Sequence, residues 1–227
     1  MLKLPDVIQI GPFPVPTFPV ALLAGFYAWH ALSERSAGRC GLEKGWVGDL
    51  LYRLFIGALV GAKLFEVIRS PASFVASPRL LVSVPVGPLA VLGALLGAAA
   101  WMALAVNGRW RQLPRVADAV AAPLAVGLTI AASGSGDERS LPLAIGFLLV
   151  AGALMFLQRQ GAFNGHTALA AVVLGSVVVV ASDFFRPASA LAGGLNPVQL
   201  VSAAIGGATY ALALRLERAL VKKEHGG

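Results

Sequence analysis

Seven apolar segments bounded by proline, glycine and charge clusters constrain this chain more than any other feature: Thr17 to Leu32, Trp46 to Ile68, Gly87 to Val106, Val116 to Ala132, Leu141 to Leu157, Thr167 to Ser182 and Pro197 to Leu214. A helix rises about 1.5 Å per residue and a bilayer core is about 30 Å thick, so several of these segments sit at the short limit for spanning. Composition supports reading them as spans. Charged residues make up 13% of the chain and hydrophobic ones 57%, whereas a soluble domain needs about a quarter of its residues charged. The expected fold is an all-α integral membrane protein, a seven-transmembrane helix bundle forming a single polytopic domain over residues 1–227.

Basic residues set the expected orientation. Arg35, Arg39, Lys44, Arg109, Arg111, Arg115, Arg159, Arg215, Arg218, Lys222 and Lys223 follow the odd-numbered segments, against Lys3, Arg69, Arg79, Arg139 and Arg186 on the other side. Cytoplasmic loops carry the excess of Lys and Arg, so the N-terminus is expected outside and the C-terminus in the cytoplasm. The formal charge of +7 does not point to nucleic acid, because the bases never form a stripe interleaved with aromatics. It reads instead as topology and attraction to anionic lipid head groups.

Cys40 is the single cysteine, which excludes an internal disulfide or a cysteine metal site. With Arg39 before it, Cys40 reads as a loop thiol rather than a lipid-attachment site. His30, His166 and His225 fall towards the cytoplasm, show no metal-ligand spacing and join no Ser-His-Asp set, so no metal or other cofactor is expected. His166, after Asn164-Gly165, reads as a surface or capping group. Pro5, Pro12, Pro14, Pro16 and Pro19 deny the stretch Leu4 to Pro19 a regular helix, and the largely apolar Leu2 to Phe13 reads as a surface segment, a short strand or a plug. They also interrupt the apolar region a cleaved signal peptide needs, so the first helix is expected to stay as an anchor. Leu80 to Pro88 reads as a hydrophobic loop in preference to a re-entrant segment, and Gly134 to Arg139 as a flexible loop.

The second segment carries Asp49, Arg53, Lys63 and Glu66 within a sequence apolar enough to enter a bilayer. Unpaired charges there are costly and must face protein or water. Asp49 and Arg53 are four apart and Lys63 and Glu66 three apart, so on a helix each pair shares a face and can partly neutralise itself. Two readings stand: a bundle-facing functional helix, or charges that snorkel from its two ends. Gly57 and Gly61, with Gly93 and Gly97, read as helix-packing glycines that let the second and third spans approach closely. Asp118, at the start of the fourth segment, is placed as a partner for a helix N-terminus.

Local sequence taken in order resembles one family, the prolipoprotein diacylglyceryl transferases of the bacterial inner membrane. The resemblance rests on Ile10-Gly11-Pro12-Phe13 with Gly25-Phe26, Asp49-Leu-Leu-Tyr52 with Gly57, Gly61-Ala62-Lys63 and Pro71, Leu89 to Gly97, and Val116-Ala-Asp118 with Pro123 and Gly127. Asp183-Phe-Phe-Arg186-Pro187 and Leu195-Asn-Pro-Val-Gln199-Leu200 extend it towards the C-terminus. It implies a multi-pass inner-membrane protein that meets phosphatidylglycerol or another anionic phospholipid, together with prolipoprotein signal peptides. The family reaction moves a diacylglyceryl group from phosphatidylglycerol to a lipobox cysteine thiol and releases glycerol phosphate.

Such chemistry wants a base near the thiol and cations on the departing phosphate. The family's His-Gly-Gly is similar in position to Leu92-Gly93-Ala94, and its Gly-Arg-x-Gly-Asn to Ala132-Ser133-Gly134-Ser135; its first-span Tyr and a sixth-span Arg correspond to Phe18 and Val179. The residues left to handle a phospholipid head group are Lys63, Glu66, Arg69, Asp183, Arg186 and Gln199. Each has a structural reading beside that one: a self-satisfied pair for Lys63 and Glu66, a structural pair for Asp183 and Arg186, and a helix-to-helix hydrogen bond for Gln199. Two function classes follow, a divergent transferase or a non-catalytic lipid-binding or scaffolding relative in lipoprotein maturation. A small-solute transporter is the weaker third, since no inverted repeat is visible.

Overall fold

The computed structural model describes residues 7–10, 13–77, 88–106, 108–135, 140–159, 164–184 and 197–225. Two short strands, β1 (Val7–Ile10) and β2 (Phe13–Pro16), pair antiparallel with Val7 opposite Pro16 and Ile10 opposite Phe13. Of the readings open for the proline-rich N-terminus, the short strand is the one the structure adopts. Alternate residues of a strand present N–H to the same edge, so Pro14 and Pro16 cost the ladder nothing when that edge faces away.

Helices follow: α1 (Thr17–Arg39), α2 (Lys44–Arg69), a short α3 (Pro71–Ala76), α4 (Pro88–Ala105), α5 (Leu113–Ser133, entered through a 3-10 turn), α6 (Ser140–Leu157), α7 (His166–Asp183) and α8 (Pro197–His225). Within the described residues each of the seven apolar segments lies along one long helix, the third stopping one residue short of Val106. Proline marks where several begin, at Pro71, Pro88 and Pro197, because its missing N–H and preset φ suit the first helical position. Two helices outrun their apolar segments. α1 continues through Ser33 and Ser36, both buried, and α8 continues into its Arg- and Lys-rich end, where the basic and acidic residues are good helix formers.

Among the described residues three helices are long and apolar enough to cross a membrane, residues 110–133, Ser140–Leu157 and His166–Asp183, with Leu92–Ala105 a shorter apolar helix. α2 combines its apolar length with the four internal charges noted above. The stretch Leu80 to Gly87 and the residues 136–139 of the expected flexible loop lie outside the described residues.

The backbone divides into two compact units, 1–41 with 114–227, and 42–113. The first centres on small side chains of α5 and α6, Ala121, Ala122, Ala125, Val150, Ala151 and Leu154, with Leu174 and Val178 of α7 against them. Trp29 of α1 donates its indole N–H to the Val120 carbonyl at 3.3 Å. The same pair of helices meets at Gly25 and Gly127, where a Cβ added to Gly127 would stand 2.7 Å from the Gly25 carbonyl oxygen. In the second unit the principal packing is α2 against α4.

Candidate functional site

Close backbone approach organises α2 and α4. A Cβ on Gly57 would lie 2.9 Å from the Gly97 carbonyl oxygen and 2.8 Å from Cβ of Trp101, and one on Gly61 would strike the Gly93 carbonyl and come within 2.8 Å of Gly97 Cα. As one helix advances four residues the other retreats four, so the pair is antiparallel and its register brings the end of α4 beside the start of α2. Leu92, next to this contact, is 46% exposed and carries no titratable group.

At the C-terminal end of α2, Lys63 donates from Nζ to Glu66 Oε2 at 2.7 Å, with side chains 17% and 33% exposed. Ser70 leaves helical geometry at φ −141° and ψ 60°, and Pro71 then opens α3. The resulting bend sets the Phe74 ring beneath the Lys63 ammonium, 5.4 Å from centroid to Nζ. A cation over an aromatic face gains about 0.5–2 kcal/mol, more as it is desolvated. Arg69 is exposed three residues beyond Glu66. Three of the expected head-group residues, Lys63, Glu66 and Arg69, thus share the last turns of one helix, where two cations stand with one carboxylate.

The other expected residues belong to the first unit. Asp183 ends α7 and Gln199 is the third residue of α8, each only 4% exposed. These two helices pack together, with Ser176 against Gly206. Arg186 lies outside the described residues, as do Leu195 and Asn196.

The opposite end of α2 differs from the sequence expectation. Among the described residues Asp49 and Arg53 form no ion pair with each other; both are exposed and line a cleft of about 470 Å³ with Trp46, Leu50, Leu104, Ala105, Val106 and Arg109. Exposed charges gain little from pairing, and both of these are exposed. Positions 46, 49, 50 and 53 fall at helical face spacing, a signal present in the sequence. Arg109, brought in by the α2–α4 register, carried none.

Asp118 partners a helix N-terminus, though not that of its own helix. Its Oδ2 accepts from the Gly165 N–H at 2.6 Å and its Oδ1 from the Ala168 N–H at 2.9 Å, at the start of α7, while its carbonyl accepts from Gln158 Nε2 at 2.8 Å. Gly165 takes φ +100° at this cap, a conformation natural to glycine. Burial, and then the Asp118 carboxylate, push the Cys40 thiol above its ordinary pKa. At the positions where the family's polar groups would stand, Phe18 and Val179 are half-buried. Ser133 and Ser135 spend their hydroxyls locally, on the Ile130 and Ala132 carbonyls.

Comparison with known proteins places these elements. A family model described as "Prolipoprotein diacylglyceryl transferase" matches residues 5–135. Proteins named phosphatidylglycerol–prolipoprotein diacylglyceryl transferase are similar to the chain. The one from Synechococcus elongatus is 29% identical over 133 residues, covering 58% of this chain and 45% of the relative. The Vibrio cholerae one is 31% identical over 136 residues (58% and 49%), and the Bacillus cereus one 28% over 138 residues (58% and 51%). The chain therefore spans about half the length of these relatives, and the match to the family model ends before α6.

Proposed function

This chain belongs to the prolipoprotein diacylglyceryl transferase family, and from that premise we propose that it is a multi-pass protein of the bacterial inner membrane that binds phosphatidylglycerol without carrying out the family's transfer. The observation that carries this reading is the state of Lys63, a half-buried cation held by Glu66 and faced by Phe74 at the end of a helix whose glycine-packed neighbour offers Leu92 in place of a proton carrier. A lipid phosphate arriving at this end meets Lys63 as a point charge and Arg69 as an exposed fork. Asp183, Arg186 and Gln199 are proposed as separate head-group contacts of the other unit.

The seven long helices are proposed to span the membrane with the N-terminus outside, which sets the Lys63 end of α2 on the outer side and Cys40 on the cytoplasmic side. The bias of basic residues supports this orientation. Cys40 then labels with a membrane-impermeant maleimide only after permeabilisation, and only slowly near neutral pH because its raised pKa keeps the thiolate scarce. Labelling in intact cells would reverse the orientation.

Complementation of a conditionally transferase-depleted bacterium tests function, with lipoprotein mobility on a gel as the readout and native mass spectrometry of the purified protein beside it. A well-inserted parent is expected not to restore lipoprotein modification while retaining phosphatidylglycerol. Lys63→Ala is expected to weaken that retention about tenfold, the effect of losing one charge-assisted contact. Restoration that Lys63→Ala abolishes would overturn the non-catalytic reading and mark a rebuilt active site.

A further inference from the structure

We propose that the cleft at the N-terminal end of α2 is a second lipid head-group site, separate from the Lys63 end, which takes a phosphodiester whose terminus donates hydrogen bonds. Arg53 lies ten residues, about 15 Å of helix, from Lys63, so one head group cannot serve both ends. The volume of about 470 Å³ falls within the range of small-ligand sites.

The charges of the cleft are placed but not spent. Among the described residues Arg53 and Asp49, one helical turn apart, form no ion pair, and ionisable residues of this kind on an apolar helix mark ligand or ion sites by default. Arg109 is oriented, its guanidinium 5.1 Å from the Trp46 ring centroid. Among the described residues its carboxylate partner is Glu43, at 3.5 Å with both side chains well exposed, a rim pair too weak to neutralise it.

Ligand chemistry follows from these three groups. Two guanidinium forks match the oxygens of a phosphate, while Asp49 in the same cleft repels a bare anion. A ligand that satisfies all three presents phosphate to Arg53 and Arg109 and an ammonium or hydroxyl to Asp49. Phosphoethanolamine and phosphoglycerol head groups do this, whereas phosphocholine has no hydrogen to donate. Leu104, at the cleft and 76% exposed, opens onto the apolar surface of α4, which suits an acyl chain and favours a membrane lipid over a soluble diester.

The test uses delipidated full-length protein carrying Lys63→Ala, so that its outcome is independent of the site proposed above. Native mass spectrometry follows titration with short-chain phosphatidylglycerol, phosphatidylethanolamine and phosphatidylcholine, and with water-soluble glycerophosphoglycerol. One equivalent of either of the first two lipids is expected to bind, with phosphatidylcholine at least about tenfold weaker, and Arg53→Gln with Arg109→Gln is expected to cost at least about tenfold. Asp49→Asn is expected to bring ethanolamine and choline lipids within about threefold of each other while phosphate recognition stays. Unchanged lipid affinity in the double variant would overturn the site, and equal affinity for the soluble diester would overturn its assignment to lipid. Should the double variant fail to fold, Arg53→Lys keeps the charge and loses the fork; it is expected to bind about three- to tenfold more weakly, and parental affinity would again overturn the proposal.

Discussion

At the C-terminal end of α2, Lys63 reaches Glu66 at 2.7 Å with only 17% of its side chain exposed, while at the N-terminal end Asp49 and Arg53 stand exposed beside a cleft, with no ion pair among the described residues. Sequence spacing is nearly the same in the two pairs. Burial separates them: a largely buried ammonium must find a carboxylate, whereas exposed charges gain little from pairing and lose side-chain entropy by it. The helix between the ends is held by backbone approach at Gly57 and Gly61, so α2 stays in place whether or not its charges pair.

The largest expected effect tests that last statement. Gly61→Leu drives a side chain into the backbone of Gly93 and Gly97, which cannot swing aside, and is expected to destabilise by about 3 kcal/mol or more in thermal unfolding in detergent. Gly45→Ala, on the same helix with nothing within 4 Å of the new Cβ, is expected to be neutral or to stabilise by up to about 1 kcal/mol. Similar losses from both would remove the zipper from the comparison.

Next in size is the pair itself. Glu66→Ala leaves a half-buried ammonium without its carboxylate and is expected to cost about 1–2 kcal/mol. A double-mutant cycle with Lys63→Met measures the coupling, expected near 1 kcal/mol; a value near zero would make the two ends of α2 alike. Asp49→Asn is expected to change stability by less than about 0.5 kcal/mol, since no ion pair is lost. A loss above about 1 kcal/mol would show that Asp49 is structural after all. Smallest is Glu43→Gln, expected to shift the unfolding midpoint by less than a degree or so at physiological salt, because its contact with Arg109 is long and exposed.

Much of the secondary structure was legible before any coordinates. Hydropathy and proline placement located every long helix, because both act through the few residues around each position. They misjudged lengths where helical residues are polar, as in the last turns of α1 and along the end of α8. The glycines of α2 and α4 were legible as a packing motif, but not which glycine faces which. Of the candidate site, the Lys63–Glu66 pair was readable from spacing alone. The parallel expectation for Asp49 and Arg53 was not met, since spacing reports which face a residue occupies and not whether that face is wet.

What the sequence determined by itself is therefore local: an apolar, helical chain, the four charges of α2, the small residues that permit close approach, and the family likeness carried by residues 5–135. Tertiary structure alone decided the partners. Asp118 could be read as a helix-terminus group, yet that terminus belongs to α7, 47 and 50 residues away at Gly165 and Ala168, and Phe74 finds Lys63 only because the chain turns at Ser70 and Pro71. Arg109 reaches Trp46 only because four glycines set the register of α2 on α4. Hydrogen bonds and cation contacts act over a few ångströms of space, and separation along the chain does not encode that distance until packing has fixed it.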